Sequence, residues 1–118
     1  MTSPDFFADA GSLGELFRLA RVRGSHTQEV VAEAAGISAA HLSRLERDEK
    51  LPGPSVAYGL ARTLQLSDSS VTPLIWKALK ERYDEDEARY FREYTKAGED
   101  WNKAVGRQVD AGEAVPHD

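Results

Sequence analysis

From Leu13 onward, apolar residues recur at helical spacing. Leu13, Leu16, Phe17 and Ala20 define one face of an amphipathic helix running to about Arg23, where Gly24-Ser25 supplies a stop. Thr27 is a good N-cap for a second helix with Val30, Val31, Ala34 and Ala35 inward, and Gly36 stands where a helix ends on a residue tolerant of positive φ. Ser38 caps a third helix with Leu42 and Leu45 facing in. Ser55 caps a fourth that carries Val56, Leu60, Ala61 and Leu64, with "KLPGP" as the loop between them. The run Ala32, Ala34, Ala35, Ala39, Ala40 suits a close crossing of the second and third helices, and no strand pattern competes.

Beyond residue 70 the pattern predicts two more helices. Thr72 reads as a cap with Pro73 at the first helical position, where its missing N–H costs nothing, and this fifth helix runs to about Tyr83. Asp84 followed by Glu87 resembles a capping box that starts a sixth. In it Tyr90, Tyr94, Ala97, Trp101 and Ala104 form a heptad-type seam flanked by Phe91 and Val105, with Gly98 expected to weaken the helix. The chain therefore divides into a loose lead (1–10, with Phe6 and Phe7 able to fold back), a motif domain (11–70), a helical extension (71–106) and a tail without apolar periodicity (107–118) that is expected to be disordered. The fold class is all-α.

Composition narrows the chemistry. With 118 residues, 41% apolar and 30% charged, one core is expected. Zero cysteines and three isolated histidines (His26, His41, His117) give no metal-ligand spacing, so no metal or cofactor is expected. No nucleophile, base and orienting group fall into a catalytic arrangement, so the chain is read as a non-enzyme. No run approaches 18 apolar residues and "MTSPDFFADA" lacks a basic and apolar leader, which leads to the expectation of a cytoplasmic protein with no membrane span. The net charge of -5 is uneven: residues 11–70 hold seven Lys/Arg against seven Asp/Glu, while residues 71–118 hold eight against eleven. The acidity thus lies outside the motif domain, and phosphate binding depends on where cations stand rather than on their sum.

The segments "LGELFRLAR", "TQEVVAEAAGIS", "HLSRLE" and "SVAYGLARTLQLS" are together similar to the phage repressor and Cro helix-turn-helix group, also called Xre-like, over roughly residues 12–67 without a gap. The resemblance implies a five-helix lambda-repressor-like helix-turn-helix domain with a C-terminal helical extension, binding double-stranded DNA with its third helix in the major groove. On that helix Ala39, Ala40, His41, Ser43 and Arg44 become the candidate base contacts. Arg44 is the expected main reader, because a guanidinium bonds both O6 and N7 of guanine; its alternative is a phosphate contact. The two alanines can meet thymine methyls or allow close approach, and His41 reads as a partly exposed groove residue rather than a pH sensor. Gln28 at the second helix's positive end is expected on the DNA backbone, with Thr27, Ser38, Arg47 and Lys50 completing the phosphate set. Arg21 and Glu46 stand where the resemblance puts a structural pair. Three positions depart from the family pattern: His26 replaces an apolar residue, Ser25 a glycine, and Asp48 a helix-ending glycine, which places an anion near the DNA face.

The expected function is a dimeric, sequence-specific transcriptional regulator, a repressor by analogy, whose homodimer interface or protein-partner surface is Tyr90, Phe91, Tyr94, Trp101 and Val105. The same seam can instead pack on its own domain. Alternatives are a DNA-binding antitoxin gripping a toxin with its C-terminal helices, and a helical adaptor. An aromatic small-molecule pocket and a cation site at Asp84-Glu85-Asp86-Glu87 are weaker readings than interface or core and a solvated helix cap.

Overall fold

The computed structural model describes residues 10–81 and 86–110, with the backbone alone at 81 and 104–110. Six helices follow one another: α1 (Leu13–Arg23), α2 (Gln28–Ala35), α3 (Ala39–Glu46), α4 (Pro54–Thr63), α5 (Asp68–Glu81) and α6 (Glu87–Asp110). There is no strand among the described residues, and the fold is all-α.

Local chemistry sets most of these boundaries. The hydroxyls of Ser12, Thr27 and Ser38 accept from the N–H groups of Glu15, Val30 and His41 at 3.0–3.2 Å, one cap for each of the first three helices. The ends are equally regular: Ser25, Gly36, Asp48 and Gln65 each take a positive φ, and each is followed by an N–H that reaches back five residues, as Ile37 does to the Ala32 carbonyl. Only one of the four is glycine. Ser25 (φ 61) is exposed, so Ser25→Gly removes a left-handed penalty without removing packing; we expect a gain of about 1 kcal/mol, read as a higher melting temperature.

Three expected starts are corrected. α4 begins at Pro54 with Gly53 as its cap, two residues before the expected cap Ser55, because the proline ring presets φ for a first turn. α5 begins at Asp68, so Pro73 lies inside it, with Ser67 accepting from the N–H groups of Ser70 and Val71. Val71 and Ile75 are fully buried one turn apart, and burying both favours continuing the helix through the proline, which forgoes a single bond. The α6 start is capped by Asp86, whose carboxylate accepts from the Arg89 N–H at 3.1 Å; Asp84 and Tyr83 lie outside the described residues. α6 also runs to Asp110, four residues into the segment expected to lack structure, while 111–118 and Phe6 and Phe7 of the lead are outside the described residues. Ala10, the last residue of that lead, is buried.

The core gathers Leu16, Phe17, Val31, Leu42, Leu45, Leu60, Val71 and Ile75, all fully buried. α2 buries Val31 and Ala32, with Ala35 half-buried; Val30, expected inward, is 55% exposed and Ala34 is exposed. The reason is that α2 packs between α3 and α4, which places its buried stripe one residue further along. The C-terminal seam divides. α6 packs chiefly on α4, where Tyr90 and Tyr94 are buried, the Tyr90 hydroxyl donates to the Pro52 carbonyl at 2.6 Å, and the Tyr94 hydroxyl donates to Asp68 at 3.0 Å. Burial pushes the Tyr94 phenol far above its ordinary pKa, keeping it a donor. Gly98, expected to interrupt α6, lies within it and is buried. A Cβ there would stand 3.0 Å from the Tyr58 ring, so the glycine lets the two helices approach.

Candidate nucleic-acid interface

α3 is two turns long and two-sided. Leu42, Leu45 and Glu46 are buried, while Ala40, Ser43, Arg44 and Arg47 lie three and four residues apart and so form one outward stripe. Ala40, Arg44 and Arg47 are exposed, and His41 and Ser43 are half-buried. Ala39, expected on this stripe, is half-buried and packs against the core; it starts the inward face that Leu42 and Glu46 continue. The left-handed Gly36 (φ 78) reverses the chain between α2 and α3, and nothing stands within 4 Å of where its Cβ would be. Glycine is needed there for its φ alone.

Glu46 ties α1 and α2 to α3. Its carboxylate accepts from Arg21 Nε at 2.7 Å and Nη2 at 3.0 Å, and from the Gln28 amide at 2.9 Å. Arg21 Nη1 also donates to the His26 carbonyl, and the guanidinium's hydrogen bonding to the Glu46 carboxylate raises its pKa. The expected pair of Arg21 and Glu46 is therefore a triad with Gln28. This alters the part expected of Gln28: one of its two amide N–H bonds is spent on the brace, so at most the other is left to donate elsewhere. His26 is exposed rather than packed, its carbonyl serving the same brace.

Asp48 takes the left-handed conformation (φ 60), and its carboxylate turns away from the stripe. It accepts from the Ser12 hydroxyl at 2.5 Å and the Gly14 N–H at 3.0 Å, at the positive end of α1. The anion feared at the DNA face is thus a tie between α1 and the end of α3. Glu49 supplies the carboxylate on the outward side instead. It accepts from Arg47 Nε at 2.7 Å and Nη2 at 3.3 Å, while Arg47 Nη1 donates to the Ser43 hydroxyl. The hydrogen bonding from Arg47 to Glu49, and then the charges of Arg47 and Arg44, hold the Glu49 carboxyl below its usual range. Ser43 and Arg47, expected to contact DNA separately, are bonded to each other.

Thr27 and Ser38 use their hydroxyl oxygens as cap acceptors, which leaves each O–H free to donate to a phosphate. Lys50 is exposed beside a cavity of about 240 Å³ between the start of α1, the α3–α4 loop and α5. Two residues escaped the sequence reading: Gly14, whose Cβ would meet backbone, and Glu49, whose role needs the loop after α3 to fold back on the helix.

The helix-turn-helix family model matches residues 12–74, more than half of the chain. The chain belongs to the helix-turn-helix domain family. Comparison with curated proteins and with solved structures finds no match. The matched helix-turn-helix span runs from the Ser12 cap to the first half of α5 and includes the whole stripe and brace. Membership suggests a DNA-binding regulator. No helix of the described residues is long and apolar enough to cross a membrane, and no group of three or more His, Asp and Glu among them is placed to hold a metal ion.

Of the expected interface residues, Tyr90 and Tyr94 are consumed within the chain and Phe91 is half-buried against the Trp76 ring at 5.5 Å. Trp101, further along the same helix, is 47% exposed. Val105 lies outside the residues whose side chains are described.

Proposed function

We propose that the helix-turn-helix chain is a sequence-specific DNA-binding transcriptional regulator of the phage-repressor type, cytoplasmic and without catalytic activity. It acts as a homodimer on a two-fold symmetric operator. The observation that carries the reading is the outward stripe of α3, with Arg44 exposed and without a side-chain hydrogen bond among the described residues, opposite a face locked into the core. Arg44 reads a base, Ala40 gives close approach, and Thr27, Ser38, the second Gln28 N–H and Lys50 bind phosphates. Repression follows from occupying a promoter.

Dimerisation uses the exposed surface of α6 around Trp101. One reader touches too few base pairs for useful specificity, whereas two across half-sites about 34 Å apart double the contacts. The exposed Trp101 also supports a second reading, a protein partner such as a toxin on the same surface. Selection from a library of random duplexes tests the proposal. It predicts an enriched two-fold symmetric motif and a steep loss of affinity with salt. Failure of the folded chain to enrich any motif contradicts it, and a monomer enriching a single half-site contradicts the dimer.

A further inference from the structure

We propose that Glu49 is a built-in competitor for the DNA backbone, acting through Arg47; the inference rests on the DNA-binding reading above. Its carboxylate takes two hydrogen bonds from the Arg47 guanidinium in the geometry a phosphate would use, and it lies in the field of Arg44 as well. Both side chains are about half exposed, so nothing in the packing requires the pair. Its third member is Ser43: as long as Arg47 is closed on Glu49, the Ser43 hydroxyl is bonded to Nη1.

Binding DNA with this stripe therefore exchanges one anion for another. Arg47 leaves Glu49 for a phosphate, Ser43 is released to face a base, and Glu49 is left near the polyanion, where it must take up a counterion. That uptake cancels part of the counterion release that normally drives phosphate binding, so the wild-type chain has both weaker affinity and a shallower salt dependence than its cation count implies. Sequence-independent binding is almost wholly electrostatic and bears this penalty in full. At a cognate site the freed Ser43 can recover part of it.

Glu49→Gln keeps the side-chain shape and removes the charge. In the full-length chain we expect it to tighten binding about threefold to tenfold at 0.1 M salt, both to the most enriched duplex and to a scrambled duplex of the same length, with the scrambled one gaining no less. The salt slope should steepen by up to about 0.9 per protomer. Arg47→Ala in the Glu49→Gln background should abolish the gain, while the melting temperature of each variant stays near wild type because both residues are exposed. Unchanged or weaker binding by Glu49→Gln overturns the proposal. A gain that survives Arg47→Ala also overturns it, since Glu49 would then act as a general repulsive charge. If neither wild type nor Glu49→Gln binds any duplex, the DNA-binding reading itself falls, and the inference with it.

Discussion

Gly14→Ala is expected to lower the stability of the domain by about 3 kcal/mol, with a fall in melting temperature of roughly 10 °C. Gly14 is the second residue of α1 and is buried where that helix meets the end of α3. A Cβ there would stand 2.4 Å from the Leu45 carbonyl oxygen, 2.7 Å from that of Glu46 and 2.8 Å from Asp48 Oδ1. Two of these three are backbone atoms, so no rotamer change relieves the overlap. α1 must move off α3 or the last turn of α3 must unwind. Either displacement strains the Gly14 N–H to Asp48 bond and the Glu46 to Arg21 bridge, which lie on the two sides of the same contact. Thermal and urea unfolding followed by circular dichroism measure the effect. A melting temperature within a degree of wild type would show that α1 and α3 do not pack as described.

Glu46→Ala is the second large loss, about 2–3 kcal/mol. The substitution leaves the Arg21 side chain, only 15% exposed, without its two carboxylate bonds and frees the Gln28 amide, so one change unties α1 and α2 from α3 together. An unpaired, mostly buried charge costs more than the pair contributes, hence Arg21→Ala with Glu46→Ala should be less damaging than the sum of the single variants. A variant that melts like wild type and loses only DNA affinity would contradict the brace and make Glu46 a binding residue.

The boundaries of α1, α2 and α3 were legible in the sequence because each is written twice, once in a Ser or Thr cap and once in the spacing of its leucines and valines. Caps alone misled at Ser55 and Thr72: the first turn of α4 is decided by Pro54, and that of α5 by the burial of Val71 and Ile75 on one face. Periodicity also cannot say which partner a seam has. Tyr90, Tyr94, Ala97 and Trp101 look alike as a heptad, yet the first two are buried in the core and Trp101 is nearly half exposed. At the candidate site, the pairing of Arg21 with Glu46 came from the family resemblance, while the third partner, Gln28, and the closure of Glu49 on Arg47 depend on how the ends of helices face one another. A linear pattern does not encode that. Asp48 is the instructive case: read as a replaced glycine it is a liability, but its carboxylate caps α1, which a glycine could not do.

The outward stripe of α3 is proposed to read DNA through Arg44. The most direct test is random-duplex selection run in parallel on wild type and Arg44→Ala. The variant should melt like wild type, still bind DNA, and lose preference at one base position in each half-site, worth about 1–3 kcal/mol there. An enriched motif identical for the two chains would contradict it, because the principal exposed cation of the stripe would then touch no base.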